Sequence, residues 1–501
     1  MPLTLAFRAG LALVLMAIYF ALAAGVIVGL CWVGQWFLRV LAAGHGSIWF
    51  LALAIGSFIA AGVILWSTFP RFDKFEPPGP EVTAEEQPAL FAEIARICAL
   101  TGEQLPRHVY LMFAMNAFVA QRGGIMGFGS QRVMGVGLPL MRVLQVSELR
   151  AVLAHEMGHF AAGDTRLSPW IYKTRNAIAR TEINLVRVAR KAAEVATLIY
   201  WLFRIVIAPF KWFGIAFMRI TQSISRAQEL SADRLAARIA GPEQLVEGFK
   251  KTHGGSLAHQ LFLSTELSPL VEDGRLPPVG EGFSKFLETP LAAKMLEDVV
   301  AGALEDTDHD PYDSHPPLRE RVEALESVDW EAIEIDPRPA IVLVENAEAI
   351  EHRLVAASIA REVTPITWEE VGQWWIARWR MTAERVARSA GALTVATIPS
   401  APHQLRRLCE AIEGTDTASK IPNERLTEWA QPVLGTALCV AMMNAGFTLE
   451  TGIGEPVHAR RDGLTLEPFV DMSRYLAGEL SADDWRKLWA DVGLADYRLG
   501  S

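Results

Sequence analysis

Two histidines four positions apart flank a glutamate in the run His155-Glu156-Met157-Gly158-His159. On a helix, positions i and i+4 share one face about a turn apart, so both imidazoles can reach a single metal ion. Zinc suits this donor set. Glu156, next to the first histidine, would lie beside the ion. There it can take a proton from water and later return it to a leaving amine. The neighbours Val152, Leu153, Ala154, Met157 and Phe160 are apolar. Histidines buried in such a helix need a partner, and a metal supplies one.

A catalytic zinc takes three protein ligands and keeps a position open for water. The best third candidate lies 70 residues on, where Glu229 and Asp233 occupy i and i+4 of Ser225-Arg226-Ala227-Gln228-Glu229-Leu230-Ser231-Ala232-Asp233. Glu229 can ligate, and Asp233 can accept the other ring N–H of a ligating histidine. The same acids would also suit a solvated face, paired with Arg226 and Arg234. The two-histidine helix favours ligation. The four cysteines, Cys31, Cys98, Cys409 and Cys439, form no CxxC pair, so a metal would be held by histidine and carboxylate.

Several elements must position these groups. Residues 147–162 are expected to form the histidine-bearing helix, with Ser147 as N-cap. An amphipathic helix is expected over 88–100, and short strands over 108–113, 116–120 and 132–138. Gly123, Gly124, Gly127 and Gly129 mark a turn between the last two strands. Ser223–Ala240 reads as a helix, and 268–316 as loop-rich.

Two uncharged apolar runs, about 11–38 and 47–66, are each long enough to cross a bilayer. Arg8 precedes the first, Arg71 and Lys74 follow the second, and Arg39 alone lies between. The positive-inside rule then places both flanks, and the active site, in the cytoplasm. The segment 165–220 holds ten basic residues against Glu182 and Glu194, with an apolar stretch at 195–218 broken by Arg204, Pro209 and Lys211. If His155 and Glu229 share an ion, the chain between them must return to the side it left. A single crossing is then excluded. A hairpin near Pro209, a re-entrant segment or an interfacial helix is expected instead.

The motif pair resembles the HtpX-like and CAAX-prenyl-endopeptidase family of membrane-bound zinc metallopeptidases. So do Asn116-Ala117-Phe118 and the later His315-Pro316-Pro317-Leu318-Arg319-Glu320-Arg321. The resemblance covers about residues 85–325. It implies a mainly α gluzincin-type domain with a small β-sheet beside the active-site helix. It also implies one Zn²⁺ per chain on His155, His159 and Glu229, with Glu156 as acid/base. Asn116, Ala117 and Phe118 form the candidate sheet edge for an extended peptide, unless Asn116 caps a turn. His315 and Arg321 could stabilise an oxyanion. Otherwise His315 caps the helix starting at Pro316, and Arg321 pairs with a carboxylate.

The expected organisation is two transmembrane helices over 1–70, then a zinc peptidase domain over 71–325 with its membrane-associated insertion. A soluble, Trp-rich region over 326–501 follows. The expected function is an integral-membrane zinc metalloendopeptidase acting through a zinc-activated water on membrane or membrane-proximal proteins, in a bacterial inner membrane. Its partners would be protein or peptide substrates and the lipid bilayer. The alternative is a non-catalytic or latent scaffold with a structural zinc and a partner-binding C-terminal region. The formal charge of −10, spread over many acids, argues against a nucleic-acid partner, which would need a clustered basic surface.

Overall fold

The structure is a computed structural model that describes residues 3–45, 47–69, 75–123, 129–161, 168–193, 197–305, 316–331, 334–390 and 393–499. Two long helices come first, α1 (Leu3–Ala42) and α2 (Ile48–Thr68). They coincide with the two uncharged runs. A helix closes its backbone hydrogen bonds within the segment, as a hydrocarbon environment demands. Both are long and apolar enough to cross a membrane.

A four-stranded sheet follows, built from β1 (Glu81–Val82), β2 (His108–Met112), β3 (Ala117–Arg122) and β4 (Gln131–Gly137). Helix α3 (Pro88–Thr101) lies between β1 and β2 in the chain. The strand order is β1-β2-β4-β3. The β2–β4 pair is parallel and the other two pairs are antiparallel. β3 is therefore an outer strand. Gly135 stands opposite Phe118 in the register, and a Cβ at Gly135 would run into the Phe118 ring. The three strands read from sequence are all present. β1 is additional.

A short helix α4 (Leu138–Val143) leads into α5 (Val146–Ala161), the histidine-bearing helix. Ser147 is not its N-cap. The helix already includes Val146, and the Ser147 hydroxyl instead accepts the Asp336 backbone N–H at 2.7 Å. Next come α6 (Ser168–Ala193) and α7 (Thr197–Ala240). α7 has 44 residues, about 66 Å of helix, and runs straight through Pro209. The hairpin expected near Pro209 is thus corrected. α6 carries the chain away from α5 and α7 brings it back. The two helices lie side by side, the Cβ position of Gly214 standing 3.0 Å from Ile178 Cγ2. Gly241, at φ +91°, stops α7, and Pro242 opens α8 (Pro242–Phe262).

Beyond α8 the stretch expected to be loop-rich is largely helical where it is described. A π-helical turn (Leu263–Leu267) precedes α9 (Ser268–Glu272), β5 (Arg275–Leu276), α10 (Val279–Leu287) and α11 (Pro290–Glu305). Pro269 and Pro290 sit at helix starts. A missing N–H costs nothing there and the fixed φ suits the first turn. α12 (Leu318–Leu325) carries Arg321.

The chain divides into two compact units. The first is Met1–Ser256 with Leu296–Ala347, and the second is Leu257–Met295 with Glu348–Ser501. The expected boundary near residue 326 falls inside the first. In the first unit, α1, α2, α6 and α7 share an apolar core around Tyr19, Ile64, Leu185, Phe203, Phe210 and Phe217. Polar contacts tie it: Tyr19 to Thr181 at 3.0 Å, and Asn184 Nδ2 to Ser67 Oγ at 3.0 Å.

The second unit adds α13 (Ala347–Ser358), α14 (Trp368–Ala390), α15 (Pro402–Glu413), α16 (Thr415–Ala418), α17 (Leu426–Asn444), α18 (Pro468–Leu476) and α19 (Ala482–Asp491). Its core holds Trp485 and Trp489, both fully buried. The Trp485 indole N–H donates to Val395 O at 2.7 Å, and its ring stacks on Tyr475 at 4.4 Å.

Candidate metal centre

The centre begins with a glycine. A Cβ at Gly158 would stand 2.9 Å from Ala232 Cα, closer than side chains approach. With only a hydrogen there, α5 and α7 touch backbone to backbone. Glu229, three residues before Ala232, is thereby carried up to both histidines. Glu229 Oε2 lies 3.5 Å from His155 Nε2, and Oε1 lies 3.7 Å from His159 Nε2. The three candidate ligand atoms all lie within 4.8 Å of one another. Zinc bonds of about 2.0–2.1 Å in a tetrahedron put ligand atoms about 3.3 Å apart. The donor set therefore fits one such ion with small side-chain movement. Among the described residues, no fourth His, Cys, Asp or Glu joins the group.

The two histidines differ in access. The His155 side chain is 5% exposed and that of His159 30%. Glu156 is half-buried. The centre is thus closed around His155 and open toward His159.

The far ring nitrogen of His155 is held from α7 and α12. His155 Nδ1 donates to Asp233 Oδ1 at 2.8 Å, which leaves Nε2 facing Glu229. Arg321 grips the same carboxylate with two bonds, Nη2 to Oδ1 at 2.6 Å and Nε to Oδ2 at 2.9 Å. Its guanidinium lies 3.7 Å over the Phe249 ring, and that ring meets His155 edge-on at 5.8 Å. Burial alone would lower the His155 pKa, but its bonds to Asp233 and Glu229 raise it to about 9. Burial would raise the Asp233 carboxyl, but Arg321 and His155 hold it below the usual carboxylate range.

Further charges brace α5. Glu148 takes Lys251 Nζ at 2.6 Å, and Arg150 pairs with the buried Glu93. The start of the helix is tied to a distant strap. Val146 N donates to Arg338 O at 2.9 Å, Ser147 N to Asp336 O at 3.3 Å, and Ala340 N to Leu144 O at 2.8 Å. The first two bonds satisfy backbone donors that a helix N-terminus leaves without intrahelical partners, and the third pairs the Leu144 carbonyl just before the helix.

The residues read from sequence divide as follows. His155, His159, Glu229, Asp233 and Arg321 converge, and Arg321 makes the carboxylate pair rather than facing the open side. Ala117 and Phe118 lie on the outer strand β3. Asn116 immediately precedes it, its carbonyl accepting Gly137 N–H at 2.9 Å. His315 lies outside the described residues. Sequence reasoning missed Phe249, Lys251 and the strap. Only Phe249 and Lys251 had a usable signal, an aromatic and a cation at i and i+2 on a helix rich in small residues, and it is a weak one.

Comparison with known proteins bears on this geometry. Residues 84–329 match the model of peptidase family M48. The chain is 29% identical over 219 residues to a protein named Protease HtpX homolog 2 from Methanosarcina mazei, covering 41% of this chain and 67% of the relative. It is 28% identical over 190 residues to Protease HtpX of Acinetobacter baylyi, covering 36% of this chain and 60% of the relative. A Protease HtpX homolog of Pyrococcus furiosus is 25% identical over 261 residues, covering 50% and 76%.

Proposed function

Because the chain belongs to peptidase family M48 through residues 84–329, we propose that it is an integral-membrane zinc metalloendopeptidase cutting membrane or membrane-proximal proteins. The observation that carries this reading is the convergence of His155, His159 and Glu229 within 4.8 Å, with Glu156 beside them. These three side chains would hold the zinc, and Glu229 is the third ligand. When bound, the ion supplies Lewis-acid activation of water and of the scissile carbonyl.

The chain's own residues do the rest. Glu156 takes the proton of the attacking water and delivers it to the leaving amine nitrogen, so the peptide C–N bond breaks without a covalent enzyme intermediate. Asp233 fixes the His155 ring through Nδ1, and Arg321 fixes Asp233; Arg321 acts through that carboxylate as a positioning residue. The free edge of β3, from Asn116 through Ala117 and Phe118, pairs with an extended substrate backbone. The open side at His159 admits it.

The cytoplasmic placement of this site, in a bacterial inner membrane, rests on Arg8, Arg71 and Lys74 outside the two spans against Arg39 between them. The region after Ala347, built into the second unit, is read as a soluble partner-binding or regulatory part.

The test is purification of the full chain in detergent, metal analysis, and a casein-cleavage assay of wild type and Glu156→Gln. Wild type should carry one zinc per chain and cleave. Glu156→Gln should keep the zinc and lose at least about 100-fold in rate. A Glu156→Gln protein that cleaves like wild type, or a wild type that binds no zinc, would overturn the reading.

A further inference from the structure

The outward faces of the four-helix core are of two kinds. α1 carries no charge from Leu11 to Leu38 and α2 none at all, so their outward side chains, such as Val28, Leu65 and Trp66, form an uncharged apolar surface. The α6–α7 hairpin, packed on the same core, carries charge as well. On α7, Trp201, Arg204, Ile205 and Trp212 recur at helical spacing, and all are exposed, Ile205 to 71%. Lys211 lies beside them. Near its end, α6 exposes Arg187, Arg190 and Lys191. Among the described residues, none of these five cations is in an ion pair. Glu182 is the one acid on the described part of the hairpin between Ser168 and Ile220.

Cations without acids, interleaved with exposed Trp and Ile, suit neither water nor hydrocarbon. In water the large apolar side chains go uncovered. In hydrocarbon the charges are costly. The same pattern is satisfied at the boundary of an anionic leaflet, where Trp and Ile enter the acyl region and Lys and Arg meet phosphates. The hairpin is tied to the spans through Tyr19–Thr181, within α1, and Ser67–Asn184 at the end of α2.

We propose that the outward face of the α6–α7 hairpin is a binding surface for anionic phospholipid. Its basic side chains Arg187, Arg190, Lys191, Arg204 and Lys211 engage headgroup phosphates, and Trp201, Ile205 and Trp212 engage the acyl boundary. The proposal rests on the reading that α1 and α2 cross a bilayer.

The experiment places the full chain in nanodiscs of phosphatidylcholine and phosphatidylglycerol in equal parts, extracts it with mild detergent, and measures the retained lipid by mass spectrometry. Wild type should retain phosphatidylglycerol over phosphatidylcholine by at least about tenfold. A variant with all five basic residues changed to Gln should retain the two equally, while keeping wild-type zinc content and casein cleavage in detergent. Equal enrichment in the variant, or none in wild type, overturns the proposal. Loss of the enrichment on adding inorganic phosphate at matched ionic strength also overturns it, since a free ion would then satisfy the surface. Carbonate extraction reports separately on the spans: a chain released from membranes fails the bilayer reading itself.

Discussion

The two units bury different things. Around α5 the first unit buries Glu93, Glu148, Arg150, His155, Glu229, Asp233 and Arg321, while the core around α14, α17 and α19 of the second is aromatic and aliphatic, built on Trp379, Tyr475, Trp485 and Trp489. Buried charge costs several kcal/mol per ion unless paired, and apolar residues of equal volume would usually stabilise as well or better. A core that retains seven such groups around one helix is organised for a site. A core that retains almost none is organised for stability.

The contrast is sharpest if one charge is removed. Arg321→Leu leaves Asp233 buried beside His155 with half its partners gone, and losing one member of a buried pair costs about 3–5 kcal/mol. The expected result is a large fall in the thermal midpoint in detergent together with weaker zinc retention in a chelator competition. Trp485→Ala should cost a similar amount, about 3–5 kcal/mol, through lost burial and the cavity left behind. Its effect should appear as unfolding of the second unit, seen by limited proteolysis, with zinc retention unchanged. If Trp485→Ala strips zinc as Arg321→Leu does, the division between site core and stability core is wrong.

A smaller effect probes the helix contact that assembles the centre. Gly158→Ala forces a methyl against Ala232, and overpacking of this kind costs about 1–3 kcal/mol. Because α7 would have to move away, Glu229 should retreat from the histidines. Zinc affinity should then fall by more than stability does. Equal zinc affinity in Gly158→Ala and wild type would mean that the contact serves packing alone.

How much of this was legible beforehand follows from the range of each interaction. The spacing of His155 and His159, and of Glu229 and Asp233, is set by the helix period and could be read directly. The three long strands and α3 were readable because their pattern is local. The requirement that the chain double back before Glu229 followed from geometry, but its place did not. A hairpin near Pro209 was one of the three returns that the sequence left open, and α7 passes through that proline as one helix. The loop-rich reading of 268–316 failed for a related reason, since Pro269 and Pro290 start helices as readily as they end them. The strap from Asp336 to Ala340 could not be read, because its bonds to α5 join backbone groups some 190 residues apart and carry no residue pattern.

The smallest expected effect lies at the other edge of the sheet, away from β3. His108 on β2 bonds Glu81 of β1 through Nδ1 at 2.6 Å and Gln131 of β4 through Nε2 at 2.8 Å. Both acceptors are oxygens, so the ring serves both best when protonated, and the bond to Glu81 above all raises its pKa over the ordinary value. A group whose folded pKa is raised contributes stability in full below its unfolded pKa, about 6.5, and loses it as pH rises through the folded value. Glu81 is half exposed, so the contribution should stay under about 1 kcal/mol. The difference in thermal midpoint between wild type and His108→Gln should therefore be largest near pH 6 and shrink as pH rises above the ordinary imidazole range. Hydrogen exchange at Val82, paired with Val109, should follow the same profile. A difference that grows with pH would mean that His108 works as a neutral ring, and that this edge, unlike the centre around α5, owes nothing to charge.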